Sequence, residues 1–282
     1  MNKWMVLRHW RRNAVAALVV FGASEFYAGV SVYPTELFVV SPNRSAPLTI
    51  SNPTDSLLEV WVTFSYGYPV AFDSGKVVMS QSDAVAPDEL SASGWLRAYP
   101  QRFTMGPQAS QVVRVFGVPP PELVNGEYWS RVIISSKSKN PRVVETKQNR
   151  TRITMELVSQ TSVPFHFRNG LISSKISVQR ARAHIDDGLL KLRLDLRRTG
   201  NAAFWGRIGY KLLNSAGKVI RTKDFRIVVY RDMAYSVQDS LPSLYEGPYA
   251  VELTFDNQHP SVATQARIAS EPFTQRIAVI GP

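Results

Sequence analysis

From residue 30 onward the apolar positions fall in short runs with a two-residue period, and clusters of Gly, Pro, Asn, Asp and Ser separate the runs. The clearest run is Leu190, Leu192, Leu194 and Leu196, which alternates with Lys191, Arg193 and Asp195. Successive strand residues point to opposite faces, so one face of that strand packs and the other meets water. The same pattern predicts strands at 37–40, 48–50, 57–66, 94–98, 111–116, 128–135, 151–158 and 163–167. A second set is predicted at 173–179, 189–196, 205–213, 219–230, 233–237, 249–255 and 276–280. Asn169-Gly170, Asp186-Asp187-Gly188 and Asn214-Ser215-Ala216-Gly217 read as turns. No segment keeps an apolar stripe at helical period, so helices are expected to be few.

Short strands rich in Val, Ile, Thr and aromatics, at this spacing, predict an all-β chain built from antiparallel sandwiches. One immunoglobulin-like sandwich takes about 100 residues, and 282 residues accommodate two. The expected division is a leader over 1–28, a first domain over 29–168 and a second over 169–282. The leader reading rests on Lys3, Arg8, Arg11 and Arg12, then the apolar run 14–21, then Gly22-Ala23-Ser24. A basic segment, a short apolar core and small residues make a secretory signal, with cleavage expected after Ser24 or Ala28. The apolar run is short for crossing about 30 Å of hydrocarbon; an uncleaved anchor is the alternative. No other stretch reaches the length of a membrane span, so no stable span is expected once the leader is removed.

Composition narrows the chemistry. Cysteine is absent, which excludes disulfide staples, thiolate metal sites and a cysteine nucleophile. The four histidines, His9, His166, His184 and His259, are scattered and lack metal-motif spacing. Asp88-Glu89 and Asp186-Asp187 sit in expected turns, and no nucleophile elbow, phosphate loop or dinucleotide fingerprint is present. No cofactor and no enzymatic activity are expected. The formal charge is +11, and much of the excess lies in clusters at 137–152 and 179–198. A basic surface of this kind suits anionic lipid, an acidic partner or nucleic acid. The run 137–142, read as a loop, lacks the interleaved aromatics of a stacking platform, so nucleic acid is not expected as a partner.

Four pieces of the first half, in order, resemble the periplasmic pilus-assembly chaperone (PapD-like) family. They are Val32-Tyr33-Pro34-Thr35-Glu36-Leu37-Phe38-Val39 with Leu48-Thr49-Ile50-Ser51-Asn52; Trp95 to Phe103 with Gly106-Pro107 and Ser110-Gln111-Val112-Val113-Arg114-Val115; Gly126-Glu127-Tyr128-Trp129-Ser130-Arg131-Val132-Ile133; and Val163-Pro164-Phe165-His166-Phe167-Arg168. The second half shares only a general immunoglobulin-like pattern.

The resemblance implies a periplasmic protein that binds pilin-like or surface-fibre subunits, and with them an outer-membrane usher. Binding would proceed by strand addition, in which the backbone ladder gives affinity and alternate side chains fill the partner's groove. Ile153, Met155 and Leu157 supply the alternation such a donor strand needs; the competing reading has them facing their own core. Members of the family hold the subunit's terminal carboxylate with an Arg and a Lys. The matching positions here are Glu36 and Pro164, which cannot do so; Arg152 and Arg168 are the nearby candidates. The rival reading is a structural or adhesive immunoglobulin-like component of an envelope or pilus assembly, using an aromatic surface around Trp61, Tyr66, Tyr68 and Phe72. A glycan- or ligand-binding module would draw on the same aromatics.

Overall fold

The computed structural model describes residues 29–71, 77–82, 85, 89–140, 142–145, 152–241 and 249–280. The expected leader, Phe72, Asp88 and Thr151 lie outside the described residues, as do the side chains of Arg152, Ile153 and Met155. Among the described residues, helical structure is limited to single 3-10 turns at Ser93–Trp95 and Thr264–Ala266. The all-β prediction holds, and the strands form two sandwiches.

The first sandwich contains β1 (Ser31–Tyr33), β2 (Leu37–Val40), β3 (Ser45–Ser51), β4 (Leu58–Ala71), β5 (Val77–Ser82), β6 (Leu96–Tyr99), β7 (Arg102–Met105), β8 (Ser110–Gly117), β9 (Gly126–Ser138) and β12 (Val158–Asn169). Between β9 and β12, β10 (Arg142–Glu145) and β11 (Arg152–Met155) pair, among the described residues, only with each other. One sheet runs β1-β3-β8-β6; the other runs β2-β12-β9-β4-β5, with β7 paired to β4. Leu48, Ile50, Val113 and Val115 from the first sheet meet Val60, Val62, Val132, Ile134, Val163 and Phe165 from the second in one core. Each fully buried aliphatic side chain contributes roughly 1.5–3 kcal/mol relative to exposure.

The second sandwich contains β13 (Ser174–Asp186), β14 (Leu189–Gly200), β15 (Phe204–Leu213), β16 (Val219–Val229), β17 (Met233–Ser240), β18 (Ala250–Asp256) and β19 (Phe273–Ile280). Their order is β16-β15-β18-β19-β13-β14-β17. Strand β19 pairs antiparallel with β18 through Phe273–Ala278 and then parallel with β13 at Val279 and Ile280. It therefore carries the ladder from one layer to the other. Leu190, Leu192, Leu194 and Leu196 are all buried in the core beside Tyr210, Val251, Leu253 and Phe255, as their alternation predicts. The β13–β14 turn places Asp187 at φ 47 and Gly188 at φ 73, the pair of left-handed residues that matches the twist of a tight hairpin.

Two sequence expectations are corrected. The strand expected over 151–158 is broken: β11 stops at Met155, Glu156 and Leu157 lie outside any strand, and Val158 opens a new strand that runs unbroken to Asn169. The break falls where β9 and β12 begin their ladder, at Lys137 and Val158, while β10 and β11 form their own ribbon. The loop expected over 137–142 is also partly strand, since Lys137 and Ser138 close β9 and Arg142 opens β10.

Candidate functional site

Strand β12 is asymmetric along its length. On one side β9 pairs with it from Val158 to Asn169. On the other, β2 pairs in parallel only from Phe165 to Arg168. From Val158 to Pro164 that second edge faces no strand among the described residues. Its amides and carbonyls form an open ladder, a template for another strand. Pro164 lies where such a residue is tolerated, at an edge position.

Side-chain parity matters here. The odd positions Val163, Phe165 and Phe167 point into the core, and Ser159 and Thr161 on the same parity are half-buried. Leu157, just before the strand, is 64% exposed; Val158, which opens it, is 46% exposed. Glu156 anchors the approach to the strand, its Oε1 2.7 Å from Lys137 Nζ on β9.

The other end of β12 meets the second sandwich. Even positions there carry His166 and Arg168, and odd positions of β9 carry Glu127, Trp129 and Arg131, all buried. The Glu127 carboxylate accepts from Arg168 Nε at 2.6 Å, from His166 Nδ1 at 3.0 Å and from the Ala203 amide of the second sandwich at 3.2 Å. Arg168 Nη1 donates to the Ala266 carbonyl, again across the interface. The Tyr230 hydroxyl lies 3.1 Å from His166 Nε2. Aromatic rings enclose the group: Phe38 stacks on His166 at 4.7 Å, Trp205 meets it edge-on at 5.0 Å, and the Arg168 guanidinium lies 4.7 Å from the Phe38 centroid. Burial by itself raises the Glu127 carboxyl, but His166 and Arg168 outweigh it and hold it at about 2. Burial pushes the His166 imidazole down, against the pull of Glu127. The contacts fit a neutral imidazole in its Nδ1–H tautomer, which donates a hydrogen bond to Glu127 and accepts one at Nε2 from the Tyr230 hydroxyl. Every polar atom of this carboxylate has a donor, the condition under which a buried charge is tolerated.

The predicted site residues separate accordingly. Leu157 stands exposed just before the open edge, and Ile153 and Met155 precede it in β11. Arg168 is buried, with its guanidinium held by Glu127 and Ala266. Glu36 is half-buried, and accepts a bond from Thr35. Pro164 stands opposite Arg131, whose Nε donates to the Gly67 carbonyl at 3.0 Å. Of the expected aromatic surface, Tyr66 is corrected: it is 3% exposed, accepts from Trp129 Nε1 at 3.0 Å and packs with Tyr68, Trp129, Trp205 and Tyr230 between the sandwiches, while Trp61 is half-buried outside that cluster. Sequence reasoning missed the Glu127–His166–Arg168 cluster. Its signal was present in β12, where His166 and Arg168 alternate with Phe165 and Phe167, so a strand with one apolar and one polar face was legible but the second burial was not.

No family model matches the chain, and no curated protein sequence matches it. Solved structures do resemble it at low identity. A chaperone–tip adhesin complex described as vital for activation of CFA/I fimbriae biogenesis is 12% identical, with a TM-score of 0.45, over 90% of this chain and 99% of that one. The class 5 fimbriae chaperone CfaA is 11% identical, with a TM-score of 0.45, over 89% and 99%. The CupB2 chaperone of Pseudomonas aeruginosa is 12% identical, with a TM-score of 0.39, over 88% and 100%. No helix among the described residues is long and apolar enough to cross a membrane.

Proposed function

We propose that this chain is a periplasmic chaperone-like protein that captures pilin-like or surface-fibre subunits by adding the edge of β12 to their incomplete sheets. The observation that carries this reading is the open edge from Val158 to Pro164, backed by β9 and preceded by exposed Leu157. An edge of this kind is a hazard in a protein with no strand partner, and a partner strand turns it into a binding surface. In this reading Leu157, Met155 and Ile153 enter the subunit's groove. Arg168 is held by Glu127, which leaves Arg152 as the candidate anchor for a subunit's terminal carboxylate. The clamped interface between the sandwiches fixes the floor from which β12 projects. Delivery of the captured subunit to an outer-membrane usher completes the proposal.

The test is recovery of the tagged mature protein from its native periplasm, followed by identification of what is bound. A small β-rich subunit at a near one-to-one ratio, lost in Met155→Arg, is the expected result. Stable multimers or outer-membrane components without such a subunit favour the structural envelope component instead.

A further inference from the structure

The outer face of the β13-β14-β17 sheet plays no part in the proposed capture. Its composition is unusual for a solvated sheet. Lys175, Arg180 and Arg182 project from β13, and Lys191, Arg193 and Arg197 from β14, while the Leu residues of β14 fill the core behind them. In the β13–β14 ladder Arg182 stands directly opposite Arg193. Like charges directly opposite destabilise a sheet. Asp195 lies 3.8 Å from Arg180 and 3.9 Å from Arg193, Asp186 holds Lys191 at 2.7 Å, and Asp232 reaches Arg197 only at 4.0 Å. Arg182 has no ion pair among the described residues. Beside these bases, β17 offers Ala234, Ser236 and Gln238, opposite Asp195, Arg193 and Lys191.

We infer that this face is an electrostatic docking surface for a bilayer bearing anionic phosphate headgroups. Charge complementarity selects the partner's sign, and the predominance of arginine selects its geometry, because guanidinium groups pair bidentately with phosphate. The absence of an apolar anchor distinguishes a bilayer from a protein partner. Protein interfaces bury a centre depleted of charge and enriched in aromatic side chains, whereas these outward positions carry bases and no Phe, Tyr or Trp. Three adjacent strands instead present a broad plate, suited to many weak contacts with a headgroup layer. The absence of aromatics also leaves no stacking platform for single-stranded nucleic acid.

The test is co-sedimentation of the full mature chain with vesicles, either of phosphatidylcholine alone or with phosphatidylglycerol added, in low salt. Binding is expected only to the anionic vesicles. Each base near an anionic surface changes partitioning about five-fold, so the triple variant R180Q/R182Q/R193Q is expected to bind about a hundred-fold more weakly. R97Q/R102Q/R114Q, which removes the same charge from the first sandwich, is expected to keep most of the binding. Salt at about 0.5 M should release the protein, since screening then acts within a few ångströms. Circular dichroism verifies that both variants fold. Equal sedimentation with neutral vesicles, equal losses in the two triple variants, or capture by a phosphodiester oligonucleotide with none by anionic vesicles would overturn the inference.

Discussion

Arg168 and Glu127 occupy directly paired positions on β12 and β9 and meet side chain to side chain, Nε to Oε2 at 2.6 Å, with water excluded from both. Because the same carboxylate takes the Ala203 amide and the same guanidinium takes the Ala266 carbonyl, the pair ties the two sandwiches together. Removing one partner leaves a buried charge uncompensated, at a cost of about 3–5 kcal/mol. Arg168→Met is therefore expected to lower the thermal midpoint sharply, while E127Q/R168M should recover part of the loss. Calorimetric unfolding of both variants measures this, and equal destabilisation in the two would contradict it.

The same cluster sets a pH response. Folding lowers the affinity for protons at Glu127, held at about 2 by His166 and Arg168 against burial, and at His166, depressed by burial. Both groups bind fewer protons folded than unfolded, so stability rises with pH through their titration. The His166 contribution is complete above its unfolded value of about 6.5, and the Glu127 contribution above about 4.3. Each is lost as pH falls from there toward its folded value. Denaturant midpoints should thus decline on acidification below about pH 6.5, with a second decline below about 4.3. In H166Q the first decline is expected to shrink; an unchanged profile would place the titration elsewhere.

How much of this the sequence carried depends on the kind of burial. Leu190, Leu192, Leu194 and Leu196 announce both the strand and its core face, because a two-residue period has one structural meaning. The Asp187-Gly188 turn was legible for the same local reason. Tyr66 was not, since a residue buried against a second domain reads as a surface aromatic until the domains are docked. The break at Glu156 and Leu157 was hidden as well: nothing in 151–158 marks where a ribbon leaves a sheet, and β11 pairs with β10 rather than continuing into β12. The open edge itself is a matter of topology, because β2 is only four residues long and covers only the end of β12.

In the second sandwich, Asp239 of β17 is 5% exposed and accepts from the Tyr210 hydroxyl of β15, from Arg221 Nε at 2.8 Å and from Lys223 Nζ at 2.8 Å, both on β16. The carboxylate thus joins the two layers. Asp239→Asn is expected to cost about 2 kcal/mol, because the Tyr210 hydroxyl and the amide are left poorly matched while the partly exposed Arg221 and Lys223 return to water. Tyr210→Phe should cost about 1 kcal/mol. Urea unfolding of the two variants gives the comparison, and a larger loss from Tyr210→Phe would assign the anchoring role to the tyrosine.

Leu157 separates fold from function. Exposed and outside any strand, it supports little of the chain's own core, so Leu157→Arg is expected to change stability by less than about 0.5 kcal/mol. A cation in a subunit's apolar groove is costly to desolvate, and capture should fall at least ten-fold. Stability and subunit retention measured on one preparation decide the matter: loss of stability with capture intact would put Leu157 in the core.

The most direct measurement is amide hydrogen exchange along β12 in the free protein and in its complex with a captured subunit. Strand addition at the open edge predicts new protection within residues 158–164 and in the approach from 153, with the edges at β5, β16 and β17 unchanged. New protection at one of those other edges, or none along β12, would contradict the account.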